Sequence, residues 1–337
     1  MKEYIFLFLI AVYFCCSCNS ETDKHQHSRK NVVNVQDKIK EIKIAEDDVL
    51  IGGVARLYLV DKYLIIMDAK PVDYFLHLFD KNNFRYITSA APVGQGPGEI
   101  VMMGYIGYKK GDSLFYATDH GKLKIFGYNI DSVVTNPKYK PEVKMEITKV
   151  QFPDNYEYIN DSICLGRMIA PTGNSGFNQF LGKWNINTGE IEKMKYEHPD
   201  IEKKRTGFAL STENELYVEY CSHYDLMTIC DIEGNLKYNI YGPEWNVRSK
   251  DRIFYYGKVI FCKDKIVASY SGKKDNSSDR LATQLLVFDL DGNYLKTLET
   301  DYLISDYCYD MENNRIIFIL DDEILQFAYL DLNGMME

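Results

Sequence analysis

Along most of the chain, apolar and polar residues alternate in short runs, the period of a strand with one face buried. Between residues 254 and 298, Phe254 to Cys262, Ile266 to Tyr270, Gln284 to Asp289 and Tyr294 to Leu298 predict four successive strands, the last pair turning at Asp291-Gly292-Asn293. The ending of the third strand recurs along the chain. Phe79-Asp80-Lys81-Asn82, Tyr128-Asn129-Ile130-Asp131, Trp184-Asn185-Ile186-Asn187, Cys230-Asp231-Ile232-Glu233, Phe288-Asp289-Leu290-Asp291 and Leu330-Asp331-Leu332-Asn333 make six copies, 49, 56, 46, 58 and 42 residues apart. That spacing is close to the ~40 to 50 residues of a four-stranded propeller blade.

The sixth repeat carries strands over Tyr307 to Asp310, Arg315 to Leu320 and Ile324 to Asp331 and is one strand short. Lys38 to Ala45, with apolar Ile39, Ile42 and Ile44, supplies the missing strand from the other end of the chain. The predicted fold is therefore all-β: a single six-bladed β-propeller over residues 36–337, closed by an N-terminal strand completing the last blade. Closure leaves only short blade edges unpaired.

Composition agrees with strands. The 337 residues are 46% hydrophobic and 26% charged, with 27 Tyr and 17 Phe, and aromatic side chains pack well on a pleated surface. A net charge of -10 with no long Lys/Arg stripe excludes nucleic acid as a partner.

The N-terminus carries an address. Lys2, an apolar run from Ile5 to Phe14, and Cys15-Cys16-Ser17-Cys18 read as a leader too short to span a bilayer. Ser17-Cys18 is similar to a bacterial lipobox, which predicts a signal peptide over 1–17, acylation of Cys18, and a membrane contact through that anchor only. Asn19 to Val35 is polar and reads as a flexible tether over 18–35; Glu21 and Asp23 just after the anchor match a pattern that accompanies export to the cell surface. His25 and His27 in it read as solvated, because two ligands on a flexible chain make a poor metal site. Setting aside the leader and Cys18, five cysteines remain, an odd number that gives no disulfide framework. Cys164, Cys262 and Cys308 read as small buried hydrophobes, and pairing outward from the turn 222–225 sets Tyr217, not Cys221, opposite Cys230.

With a strand ending at Phe79-Asp80 followed by Gly94-Gln95-Gly96-Pro97-Gly98-Glu99, the chain resembles the TolB-like six-bladed propeller lipoproteins of Gram-negative gut bacteria. The resemblance spans Lys38 to Glu337 and implies the propeller fold, lipid anchoring and an outer-membrane envelope location; it implies no catalytic residues. The Gly94 to Glu99 segment lacks the Gly-Lys-Ser/Thr of a phosphate loop and reads as a crossing between blades, with Pro97 to stiffen it.

In such a fold, first-to-second and third-to-fourth strand turns share one face, and all other connections share the opposite one. The first face carries tight turns. The second carries Ser89 to Glu99, Arg167 to Asn178, Glu197 to Thr206, Gly242 to Arg252 and Ser271 to Ala282, long enough to bind. Its candidate ligand-binding residues are His120, Arg167, His223, Tyr224, Trp245, Arg248 and Arg280, beside Lys273 and the acidic Asp68, Asp73, Asp119 and Asp225. Trp245, in a polar loop, is expected either to pack over a blade edge or to stack on a sugar. The expectation is a monomeric, non-catalytic lipoprotein without cofactor, binding a glycan, peptide or envelope protein. A propeller hydrolase or lyase, with His77, His120 and His223 holding an axial metal, is the alternative, and a surface scaffold is the third. His77 alternates with Phe75 and Phe79 and reads as packing; Asp289-x-Asp291-Gly292 lacks the rest of a calcium loop.

Overall fold

The computed structural model describes residues 22–44, 49–109, 111–136, 138–147, 152–173, 176–201, 204–248 and 252–336. The leader and Cys18 lie outside the described residues.

Three short strands come first: β1 (Asp23–His25), β2 (Val32–Asn34) and β3 (Ile39–Glu41). Five antiparallel meanders follow. The first sheet holds β4 to β7 (Ala55–Val60, Tyr63–Asp68, Tyr74–Asp80, Tyr86–Pro92), and the second β8 to β11 (Met103–Tyr108, Leu114–Asp119, Lys124–Asn129, Glu142–Glu146). The third holds β12 to β15 (Pro153–Tyr158, Ile163–Gly173, Gly176–Asn185, Ile191–Lys193), and the fourth β16 to β19 (Thr206–Ser211, Leu216–Cys221, Leu226–Asp231, Leu236–Tyr241). The fifth is eight-stranded: seven strands follow the order β20-β21-β22-β23-β24-β25-β3 and the eighth, β2, pairs with β23, with β20 to β25 at Ile253–Cys262, Lys265–Lys274, Ala282–Asp289, Tyr294–Asp310, Arg315–Leu320 and Phe327–Asp331. The fold is an all-β propeller, and among the described residues there is one short α-helix, α1 (Ile130–Thr135), and one 3-10 turn at Gln36–Lys38.

All six repeated motifs end a strand, and each aspartate or asparagine turns the chain with its own side chain. Asp80 Oδ1 accepts the N–H of Asn82, Asn185 Oδ1 that of Asn187, Asp231 Oδ1 that of Glu233, Asp289 Oδ1 that of Asn293 and Asp331 Oδ1 that of Asn333. Four of these are Asx turns, to the N–H two residues on, and Asp289 reaches the N–H four residues on; all satisfy backbone donors as the strand ends. The second copy departs from a tight hairpin: Asn129 accepts the N–H of Ser132 and so caps α1, because the same side chain serves as a helix N-cap.

Neighbouring sheets pack face to face. Ile65, Leu76 and Leu78 of the first sheet share a core with Ile106, Phe115 and Phe126 of the second. Leu57 and Phe79 of the first share another with Ile317, Ile319 and Phe327 of the fifth. Each such fully buried side chain contributes roughly 1.5–3 kcal/mol. The strand expected from Lys38 to Ala45 forms as β3: Ile39 pairs with Leu330 and Glu41 with Ala328.

Two readings change. Residues 18–35 were expected to be a free tether and the folded body to start at 36, yet β1 lies parallel on β19 and β2 parallel on β23. Sheet edges offer unpaired backbone groups, and a polar segment can satisfy them as well as an apolar one. Arg167 to Asn178 and Ser271 to Ala282 were expected to be loops, but Arg167 to Pro171 and Phe177 to Leu181 pair in a long hairpin, and Lys273 and Lys274 pair with Phe254 and Ile253.

Two local readings agree with the structure. The crossing at Gly94 to Glu99 is closed by its own glutamate: Glu99 Oε2 accepts the Gly96 N–H at 2.6 Å, and a Cβ on Gly94 would stand 2.0 Å from that oxygen. Cys164, Cys221, Cys230, Cys262 and Cys308 are all buried free thiols, and Tyr217 pairs with Cys230.

Candidate functional site

Six strand segments turn their sides to one axial cavity of ≈ 790 Å³: β4, β8, β12, β16, β20 and the second half of β23. Its wall is apolar at intervals, as alternation demands, but six charged side chains break the pattern: Arg56, Asp154, Glu157, Arg167, Lys258 and Asp306. Four of these form pairs. Arg167 grips Asp154 with both prongs, Nε to Oδ1 at 2.9 Å and Nη2 to Oδ2 at 2.5 Å, and donates Nη1 to the Thr206 carbonyl. Lys258 Nζ meets Asp306 Oδ1 at 2.7 Å, while Asp306 Oδ2 accepts the Leu57 N–H at 2.7 Å. Opposed charges so placed hold the wall rigid. Tyr58, Tyr105, Tyr220 and Tyr307 add hydroxyls; Tyr307 donates to the Lys258 carbonyl at 2.8 Å.

Burial raises the Glu157 carboxyl to about 7, against the pull of the Leu210 backbone N–H and the Lys258 ammonium. Between the ordinary value of 4.5 and about 7 the folded chain holds a proton that the unfolded chain has released. Stability therefore falls as pH rises through that window. Glu157→Gln is expected to flatten the fall by up to one proton, read from urea midpoints across the window; a slope identical to that of the parent would sink the assignment.

The seven residues expected on the loop face divide into two groups. Arg167 and His120 line the cavity. Burial lowers the His120 pKa despite Asp154 and Asp119 nearby. The others lie farther out, on the fourth and fifth sheets. His223 Nε2 is 3.4 Å from Asp275 Oδ2, and Arg280 Nη1 is 3.4 Å from Asp275 Oδ1, so one carboxylate gathers both, together with Arg252. Tyr224 and Trp245 pack at 6.0 Å, and the Trp245 ring also sits 4.9 Å from Tyr241 and 5.6 Å from His198. Trp245 is thus half-buried over a sheet edge. Arg248 is exposed.

The acidic counterparts organise loops. Asp68 accepts the N–H groups of Gly52 and Lys70, and Asp119 those of Val101, Met102, Gly121 and Lys122. Asp225 holds Arg29 at 3.0 Å and both Tyr256 and Tyr270 hydroxyls. The three histidines considered for an axial metal do not converge: His77 is buried and bonded to Ser89 Oγ at 2.8 Å, and His223 lies at Asp275. Among the described residues no cluster of three or more His, Cys, Asp or Glu is placed to hold a metal ion.

Sequence reasoning missed Arg56, Asp154, Glu157, Lys258 and Asp306 because it looked at loops. The signal was present: each is a charge inside the first strand of a repeat, where alternation leaves the inner edge facing the axis.

The faces also differ in exposed apolar surface. Fifteen large hydrophobic side chains stand exposed among the described residues. Eleven lie on loop-face connections or at their flanks, three (Val32, Val33 and Val143) on outer strands, and one, Met311, on the turn face. Leu50 and Val54 precede β4, Val72 lies between β5 and β6, Met102 precedes β8 and Ile324 lies between β24 and β25, at 75%, 55%, 87%, 58% and 91% exposure, and Val54 and Met102 also line the cavity. Isolated exposed aliphatics are ordinary; a concentration on one face marks an interaction surface.

A family model described as TolB-like 6-blade propeller-like matches residues 34–312. No curated protein matches the chain. Similar solved structures include a Bacteroides fragilis protein described as exported, 12% identical, covering 89% of this chain and 88% of that one at a TM-score of 0.54. A member of the DUF4221 family from Bacteroides vulgatus is 10% identical and covers 88% of this chain and 98% of its own, at 0.59. A luciferin-regenerating enzyme is 10% identical and covers 87% and 93%, at 0.56. These three likenesses are of fold.

Proposed function

We propose, from the premise that this chain belongs to the TolB-like six-blade propeller family, that it is an exported lipoprotein anchored at Cys18 in the outer membrane, which holds a peptide or protein partner on its loop face. In this reading the eight-stranded sheet is two blades joined through β23, which makes six, and β3 closes the ring. The protein acts as a monomer without cofactor.

The observation that carries the reading is the aliphatic rim beside the cavity mouth. Valine, leucine, isoleucine and methionine suit the side chains of a polypeptide, whereas sugars are gripped by exposed aromatic faces, and the Trp245 ring is spent on Tyr241 and His198. This favours peptide or protein over glycan.

A second reading, a hydrolase acting through the cavity, is favoured by one observation, the partly protonated Glu157 facing it. The paired state of Lys258, Asp306, Arg167 and Asp154 favours a rigid wall over a reactive group.

The test is photo-crosslinking in intact cells from Val72 and Ile324 on the rim and from Met311 on the opposite face. Adducts are expected from the rim sites alone and are expected to drop at least about tenfold when Val54 and Met102 both become Asp, a loss of roughly 1.4 kcal/mol or more. Equal adducts from Met311, or none that respond to Val54→Asp with Met102→Asp, would remove the rim from consideration.

A further inference from the structure

The N-terminal segment fixes how such a protein would stand on its membrane. We propose that the outer edge of the fourth sheet, on its turn-face side, lies against the lipid surface, so that the rim around Val72 points away from it. This rests on the acylation of Cys18 proposed above.

Strand β1 is fixed to the outer edge of the fourth sheet. It pairs in parallel with β19, Asp23 opposite Asn239 and His25 opposite Tyr241, and the Thr22 carbonyl already accepts the Asn239 N–H. The attachment is reinforced: Asp23 Oδ1 accepts from Asn239 Nδ2 at 2.9 Å, the His25 ring stacks on Tyr241 at 4.5 Å, and Lys24 Nζ lies over Tyr238 at 4.1 Å. Farther on, Arg29 is buried against Asp225. Residues from Thr22 onward therefore belong to the folded body.

Only four residue steps separate Thr22 from Cys18. Fully extended they reach about 14 Å. A lipid chain at Cys18 would hold the β19 edge at the headgroups and leave no slack for the body to turn over. Direction follows from the pairing. β19 runs from the turn 232–235 on the turn face to the loop 242–252 on the loop face, and β1 runs with it, so the chain before Thr22 points to the turn face. The exposed Lys195 and Lys237 lie around that exit, and ammonium groups favour anionic headgroups. In a six-bladed ring the fourth and first blades are opposite, which puts Val54 and Val72 on the far side from the anchor.

The experiment uses the acylated full-length mature protein in vesicles of phosphatidylethanolamine and phosphatidylglycerol doped with a headgroup quencher. Single labelling sites are Lys237→Cys near the exit and Val72→Cys on the rim, the native cysteines of the described body being buried. Quenching is expected to be at least about threefold stronger at 237 than at 72. Inserting about twelve Gly/Ser residues after Ser20 is expected to erase the difference, since a flexible chain of that length frees the body to rotate. Equal or reversed quenching in acylated protein overturns the orientation alone. Absence of the diacylglyceryl mass at Cys18 overturns the anchoring reading and this inference with it.

Discussion

Arg29→Ala is expected to lower the unfolding free energy by about 3–5 kcal/mol, the cost of leaving a buried charge without its partner. The Arg29 side chain is 8% exposed and that of Asp225 is inaccessible. Arg29 Nη2 donates to Asp225 Oδ1 at 3.0 Å and to the Tyr256 hydroxyl at 2.9 Å, Nε donates to Gln26, and the guanidinium lies 4.6 Å from the Tyr270 ring. Burial works against its charge, but Tyr256 and Asp225 outweigh it and raise the pKa. Asp225 would keep the Tyr256 and Tyr270 hydroxyls and the Glu244 N–H, which compensate in part. Asp225→Asn added to Arg29→Ala is therefore expected to recover more than half of the loss, because no unpaired charge remains. Urea midpoints measure both. A loss under about 1 kcal/mol for Arg29→Ala would mean that residues 22–35 are a loose tether after all.

That segment shows where sequence reading reaches its limit. The six Phe/Tyr/Trp/Cys/Leu-Asx motifs were legible because each does two local jobs, ending a strand on an apolar residue and turning the chain with the next side chain. The β3 strand was legible through the apolar Ile39, Ile42 and Ile44, which stand just before the first repeat, where the last repeat is one strand short. β1 and β2 were not: Asp23-Lys24-His25 has the composition of a tether, and its partner is backbone on β19, which no side-chain pattern announces. Arg29 likewise reads as one more surface cation until Asp225, 196 residues away, is placed beside it. The site divides the same way. Arg167 and His120 were found because they flank turns, but Glu157 and Lys258 sit in the middle of strands and become site residues only when six inner edges are brought around one axis.

The junction between the two ends of the propeller makes the other large prediction. Arg315, on β24, donates Nε to Asp310 Oδ2 at 3.0 Å and Nη2 to the carbonyl of Lys81, beyond the end of β6 in the first sheet. Its guanidinium lies 4.4 Å from the Phe84 ring and 5.2 Å from that of Tyr329, with side-chain exposure of 9% for Arg315 and 1% for Asp310. Lys81 returns the contact through Glu312 at 2.9 Å, and Asn313 reaches Asn82 at 2.9 Å. Arg315→Ala removes the fork, the stacking and the partner of a buried carboxylate together, for an expected loss of about 3–5 kcal/mol. Arg315→Lys keeps the charge but neither the planar fork nor the ring contact, so it is expected to recover less than half. The shape of the transition matters more than its midpoint. The six-bladed ring proposed above, closed at this junction, would have no free end from which to fray, so on that reading Arg315→Ala should shift one cooperative transition while both ends stay coupled. Two resolved transitions in the parent protein, by fluorescence and far-ultraviolet dichroism, would mean that the first and last sheets unfold independently and that the contacts at Arg315 join neighbours without closing a ring.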